Sequence, residues 1–179
     1  GAELALNLSS QQVDQLTTHF SLLLRWNEKI NLTSIRSPKE IAERHFEESL
    51  FLATRIPPPE GLIVDVGSGA GFPGLPLKIV WPSSEAVLLE PNHKKATFLK
   101  EAIRSCGLER IEVRAERLEE AANGNLAGRA TLVTMRAVKP SATNLQALAK
   151  LLAPASRLAL FLGASDATAF SAPPAASRA

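Results

Sequence analysis

Four glycines and a proline stand behind a single aspartate in DVGSGAGFPG, residues 65–74, directly after the apolar run Leu62-Ile63-Val64. Gly67, Gly69 and Gly71 let the chain turn sharply and bring main-chain N–H groups close to a ligand with no Cβ in the way. Asp65 puts a carboxylate ahead of those glycines, and Glu90 follows it by 25 residues at the end of another apolar run. A carboxylate at Asp65 suits a ligand bearing an ammonium or sulfonium group and repels a pyrophosphate. The carboxylate of Glu90 can accept hydrogen bonds from both hydroxyls of a ribose. The chemistry is that of a nucleotide-like ligand held by bare backbone and two acids.

Two motif readings compete for this loop. GAGFPG satisfies G-x-G-x-x-G for a dinucleotide, while DVGSGAG is the D-x-G-x-G-x-G pattern found in S-adenosylmethionine-dependent methyltransferases. A plainer reading takes the glycines as a tight strand-to-helix turn. Phe72, Pro73, Pro76 and Trp81 crowd the next segment, so only a short helix can follow, whereas pyrophosphate binding uses a clean helix N-terminus. That crowding and Asp65 favour the methyl donor; Glu90 serves either cofactor. Beside an enzyme stand an RNA-binding or regulatory module that keeps a nucleotide fold without activity, and a dinucleotide-dependent oxidoreductase. Binding of S-adenosylmethionine separates the three.

Strands must present these residues, and short apolar runs at 62–66, 86–89, 111–113, 131–135 and 158–162 read as strands with helical patterns between them. Asn92 caps a helix from His93 to Ser105 that Gly107 ends, and Pro140-Ser141 opens another through Leu152. Strands apolar on both faces that alternate with helices mean a parallel sheet covered on each side. Ahead of it, Leu16, Phe20, Leu23 and Leu24 behind Ser9 and Ser10 predict an amphipathic helix to about Trp26, which Asn31-Leu32-Thr33 breaks. Ser37-Pro38-Lys39-Glu40 reads as an N-cap, a first-turn proline and a capping-box Glu, opening a second helix through Ile41, Phe46 and Leu50. Pro57-Pro58-Pro59 forbids helix. It divides a helical extension, 1–56, from an α/β domain, 62–163, through a connector at 57–61. SAPPAASRA reads as a disordered tail, so 164–179 is expected to be a disordered or incomplete end.

The chain has 179 residues, 45% hydrophobic and 21% charged, a one-domain length with ordinary globular values. No apolar stretch approaches the roughly 20 residues of a membrane span. The start GAELALNLSS lacks the pattern of a secretory signal, and the lone Cys106 cannot form an internal disulfide, so a reducing cytoplasm is expected. Cys106, beyond a helix end, reads as a small apolar residue. Net charge is +2, but from Ala121 onward Arg129, Arg136, Lys139, Lys150, Arg157 and Arg178 face Asp166 alone. This basic bias is compatible with an anionic partner. The chain is expected to be a monomer with no metal and no membrane contact.

The stretches LLRWNEKINLTSIR, RHFEESL, DVGSGAGFPGLPLKI, LLEPNHKKATFL, AERLEE and VTMRAV, in this order, resemble the bacterial small-subunit ribosomal RNA guanine-N7 methyltransferases, also called glucose-inhibited division protein B, over nearly the whole chain. The resemblance implies a Rossmann-like class I S-adenosylmethionine-dependent methyltransferase, with a mostly parallel sheet flanked by helices and a small N-terminal helical extension. It implies methyl transfer to N7 of a guanine in the decoding-region loop of 16S rRNA, free or in the small ribosomal subunit, with S-adenosyl-L-homocysteine as product. Carried over by the resemblance, Asp65, Gly67, Ser68, Gly69 and Gly71 cradle the methionine end, Glu90 takes the ribose, and Ala115 with Glu116 walls the adenine. Arg136 touches the cofactor and positions the substrate, while Asn31, His45, Lys94, Lys95 and Arg117 face the RNA.

Each polar position also has a plainer role. Asn31 can bond its own turn, His45 can be a satisfied structural histidine, Arg117 can pair with Glu116 or Glu120, and Arg136 can salt-bridge a nearby carboxylate. Lys94 and Lys95 open a helix against its dipole, a cost that a phosphate partner offsets. Two features depart from the family. Leu162 stands where its members usually carry a lysine, and the closing strands expected after it find little β character in 163–179. Guanine N7 has an available lone pair and no proton, so the implied reaction needs no general base. The chain also lacks the Asn-Pro-Pro-Tyr loop of exocyclic amino methyltransferases.

Overall fold

The computed structural model describes residues 6–136 and 141–163. Pro140, at the expected opening of a helix, and the expected tail at 164–179 lie outside the described residues. Strands β1 (Leu62–Val66), β2 (Glu85–Leu89), β3 (Ile111–Arg114), β4 (Ala130–Arg136) and β5 (Leu152–Phe161) form one sheet in the order β3-β2-β1-β4-β5. Every neighbouring pair is parallel. β1 is buried at all its positions, as a central parallel strand covered on both faces must be. Val66 pairs with Leu89 on one side and Met135 on the other. The glycine loop, Glu90 and Arg136 therefore leave the sheet side by side at its carboxyl edge. Here the chain connects β1 to neighbours in opposite directions, the crevice where ligands of open α/β sheets bind.

Local signals account for most of the helices. In α1 (Ser10–Asn27) Ser9 and Gln12 complete a capping box. The crowded segment yields only α4 (Gly74–Val80). The Asn92 side chain accepts from Lys95 N at 3.1 Å to start α5 (His93–Ser105), α6 spans Leu118–Asn123, and Ser141 caps α7 (Ala142–Leu151). One face of the sheet packs Val64, Val66 and Val133 against Leu118 of α6 and Leu148 and Leu151 of α7. On the other face Leu22 and Leu23 of α1, with Ile41 and Phe46, share one core with Leu75, Leu88, Phe98 and Leu99. Among the described residues no helix is long and apolar enough to cross a membrane.

Two elements differ from expectation. The second helix is not continuous: α2 (Pro38–Ile41) passes through a π-helical turn, Ala42–Glu47, into α3 (Glu48–Ala53). β5 begins at Leu152, directly after α7, and its register against β4 shifts between Ala130 and Leu132. Ala155 adopts φ 59° within that irregular stretch. Pro154, Ala155 and Ser156 carry no apolar alternation, so the first half of the strand is invisible to a periodicity argument.

Candidate functional site

The chain turns out of β1 on three left-handed residues, Gly67 (φ 68°), Gly69 (φ 55°) and Gly71 (φ 96°). The glycines divide into two kinds. A Cβ added at Gly67 would meet nothing within 4 Å, and at Gly69 only the Gly67 carbonyl at 3.9 Å. At Gly71 it would strike Leu75 Cδ1 at 2.5 Å, and at Gly74 Leu88 Cδ2 at 2.5 Å and Asp65 Oδ2 at 2.6 Å. Gly67 and Gly69 keep the outer side of the loop open, while Gly71 and Gly74 close its inner side against the core. Gly67, Ser68 and Gly69 floor a cavity of about 450 Å³ walled by Thr33, Arg44, His45, Lys95 and Arg136. The N–H groups of Gly67 and Ser68 both donate to the Leu89 carbonyl, at 2.9 and 3.0 Å. These two glycine-loop amides are therefore committed to β2, and the loop offers a ligand room more than donors.

The two acids part company. Asp65 is fully buried; its Oδ1 accepts from Thr134 Oγ1 at 2.8 Å and its Oδ2 from Gly74 N at 3.1 Å. Burial pushes its carboxyl up to about 6 against those hydrogen bonds. Asp65, expected to face a cationic ligand, has both oxygens turned inward, tying β1 to β4 and to the start of α4. Gly71 is likewise turned to the core. Glu90 follows β2, and burial raises its pKa, opposed by Lys95 and by the backbone N–H groups of Gly69 and Asn92. Its N–H donates to the Arg114 carbonyl at 3.0 Å, which places the exposed Ala115 and half-buried Glu116 beside it.

Arg136 ends β4 on the rim of the cavity. Its Nη2 pairs with Glu48 Oε2 at 2.6 Å and donates to the Arg44 carbonyl, while Nη1 is buried with no partner among the described residues. Its guanidinium also borders a second cavity of about 650 Å³, where Leu162 lies with Glu43, Glu47 and Phe161. His45, in the π-helical turn, bonds Thr33 Oγ1 through Nε2 at 2.9 Å and stacks on Phe72 at 4.7 Å. Burial, with Arg136 and Arg44 nearby, lowers its pKa to about 4, leaving a neutral ring at the cavity wall. Lys95 joins the wall; Lys94 and Arg117 are exposed outside it. The Arg117 N–H donates to Glu120 Oε2 at 2.8 Å. Asn31 is not part of the lining; its Oδ1 accepts from Arg36 Nη2 at 2.6 Å and shapes the loop that supplies Thr33. Cys106 is buried, its thiol pushed up to about 11 by burial.

Sequence reasoning missed His19. It is fully buried in α1, bonds the Ala70 carbonyl through Nε2 at 2.8 Å and stacks on Phe72 at 4.8 Å, supporting the glycine loop from the core side. The available signal was its place three residues after Leu16 and four before Leu23, on the apolar stripe of the helix. Burial lowers its pKa to about 4. Unfolded histidines titrate near 6.5, so between pH 6.5 and 4 the unfolded chain binds protons that folded His19 and His45 refuse, and stability falls with pH. The His19 contribution at pH 4 is about 3 kcal/mol, from roughly 1.4 kcal/mol per pH unit. Asp65 acts oppositely: below about 6 its folded carboxyl holds a proton the unfolded one releases, which offsets part of the loss. Urea unfolding between pH 7.5 and 4.5 should show a falling midpoint, and a flat profile would refute the assignment of neutral buried histidines.

A parallel sheet in this order, with a glycine loop at the carboxyl end of β1 and an acid after β2, defines a Rossmann-like class I S-adenosylmethionine-dependent methyltransferase fold. Two solved structures, named as a SAM-dependent methyltransferase and a putative S-adenosyl-L-methionine-dependent methyltransferase, share the fold. One from Aquifex aeolicus superposes with TM-score 0.58 at 18% identity, covering 79% of this chain and 71% of its own. One from Methanococcus maripaludis does so with TM-score 0.59 at 14% identity, covering 88% and 66%. The chain belongs to the GidB family, rRNA small subunit methyltransferase G, whose profile matches residues 12–176. Ribosomal RNA small subunit methyltransferase G of Halorhodospira halophila is 38% identical over 161 residues, 90% of this chain and 74% of the relative. That of Alkaliphilus metalliredigens is 42% identical over 119 residues, 66% and 50%. The chain thus spans between half and three quarters of the length of these two relatives.

Proposed function

We propose that the protein methylates N7 of a guanine in the decoding-region loop of 16S rRNA, acting in the cytoplasm on the small ribosomal subunit with S-adenosylmethionine as donor. The observation that carries this reading is the juxtaposition of an open glycine-floored cavity with Arg136, which stands at its rim with Nη1 buried and without a partner among the described residues. The residues suit the cofactor: space lies over Gly67 and Gly69 where any side chain would intrude, and Glu90 stands at the strand end where a ribose hydroxyl pair can be held. Ala115 and Glu116 would flank the adenine. Asp65 and Gly71 would act behind the loop by fixing its shape, Ser68 by its place in the floor. Bound S-adenosylmethionine supplies an electrophilic methyl group on a sulfonium.

What the chain itself must do is orient the base and exclude water, because guanine N7 carries no proton to remove. Arg136 offers a planar fork to a phosphate or to the acceptor edge of the base. Lys95 at the wall, with Lys94 and Arg117 outside it, would draw the RNA backbone. His45 and Asn31 would contribute through the loop at Thr33. Calorimetry with S-adenosylmethionine, followed by labelled methyl transfer to small subunits from a deletion strain and mapping of the modified base, tests this. Binding with transfer to a guanine N7 is expected. No binding of S-adenosylmethionine would leave an RNA-binding module, and binding of a nicotinamide cofactor instead would leave an oxidoreductase.

A further inference from the structure

Arg136 is held from a part of the chain far away in sequence. Glu48 and the Arg44 carbonyl, 88 and 92 residues distant, both accept from its Nη2. The backbone departs from a regular α-helix at this point. In a regular α-helix the Arg44 carbonyl would take the N–H of Glu48, but here that N–H donates to the His45 carbonyl. The Arg44 carbonyl and the Glu48 carboxylate thus present two acceptors side by side to one guanidinium nitrogen. A guanidinium is a rigid plane, so fixing one arm fixes the direction of its other donors. The arm left over, Nη1, is the one with no partner among the described residues.

We propose that Glu48 is a positioning residue: it clamps one arm of Arg136 and so fixes the plane of the guanidinium that stands at the cavity rim. This rests on the functional reading above and extends it, because it gives the helical extension a role in the reaction besides packing. The test uses the full-length protein. Glu48→Ala is expected to slow single-turnover methyl transfer to small ribosomal subunits at least about tenfold while cofactor affinity stays within about threefold. Glu48→Asp, which keeps the carboxylate, should recover most of the rate, and the neutral Glu48→Gln should not. Because Glu48 works through Arg136, adding Glu48→Ala to Arg136→Ala should slow transfer no further. In nitrogen NMR the Arg136 guanidinium should rotate slowly in the wild type and fast in Glu48→Ala.

A wild-type rate in Glu48→Ala, or a full independent loss in the double variant, would overturn the proposal. So would a loss of thermal stability and rate together that Glu48→Asp fails to rescue, which marks a structural brace. A wild type that binds cofactor and transfers no methyl group overturns the functional reading instead. The NMR comparison then still decides whether Glu48 orients Arg136: unchanged rotation in Glu48→Ala rejects it.

Discussion

Gly74→Val is expected to cost the protein much of its stability, whereas Gly69→Val should leave it folded and unable to bind S-adenosylmethionine. A Cβ at Gly74 would lie 2.5 Å from Leu88 Cδ2 and 2.6 Å from Asp65 Oδ2, and both of those residues are fully buried. Relief requires α4 to move away from β1. That movement also breaks the 3.1 Å bond from Gly74 N to the Asp65 carboxylate. Overpacking and the orphaned acceptor together amount to about 3 to 5 kcal/mol. At Gly69 an added Cβ meets no neighbour closer than 3.9 Å. The cost there is the left-handed backbone, about 1 to 2 kcal/mol, which a domain of ordinary stability survives. The branched side chain then occupies the space over the cavity floor. Urea unfolding and cofactor calorimetry on both variants check the pair. Wild-type affinity in Gly69→Val would move the cofactor off this loop, and wild-type stability in Gly74→Val would contradict the close packing of β1 against α4.

Arg136→Lys is expected to keep cofactor affinity within about threefold and to lower single-turnover methylation at least about tenfold, or about 1.4 kcal/mol of transition-state stabilisation. A lysine retains the charge and can still reach Glu48, yet a single ammonium cannot satisfy Glu48, the Arg44 carbonyl and a substrate group in the fixed directions of a guanidinium. Bulk attraction for RNA would be preserved, and the oriented donor would be lost. If Arg136 only braces the cavity through Glu48, cofactor binding and turnover should fall together. Equal losses in a cofactor titration and in methyl transfer to small subunits would therefore reject its substrate-facing role.

Local signals in the sequence account for most of the elements and for the sheet class: caps at Ser9, Asn92 and Ser141, proline and glycine punctuation, and apolar runs whose alternation with helices admits a parallel sheet. The sequence also located the glycine loop, since a left-handed turn after an apolar strand can be recognised from glycine spacing alone. The start of β5 escaped because Pro154 to Ser156 carry no period. The four loop glycines look alike in sequence, and only packing separates Gly67 and Gly69, open to the cavity, from Gly71 and Gly74, pressed against Leu75, Leu88 and Asp65. Asp65 reads as a ligand-facing acid until Thr134, 69 residues away, is seen to turn it inward. The clamp of Glu48 and the Arg44 carbonyl on Arg136, and the support of the loop by His19, join residues that no spacing rule connects. Orientation of a side chain depends on which distant groups reach its polar atoms, and that is decided only when the helical extension folds onto the same core as the sheet.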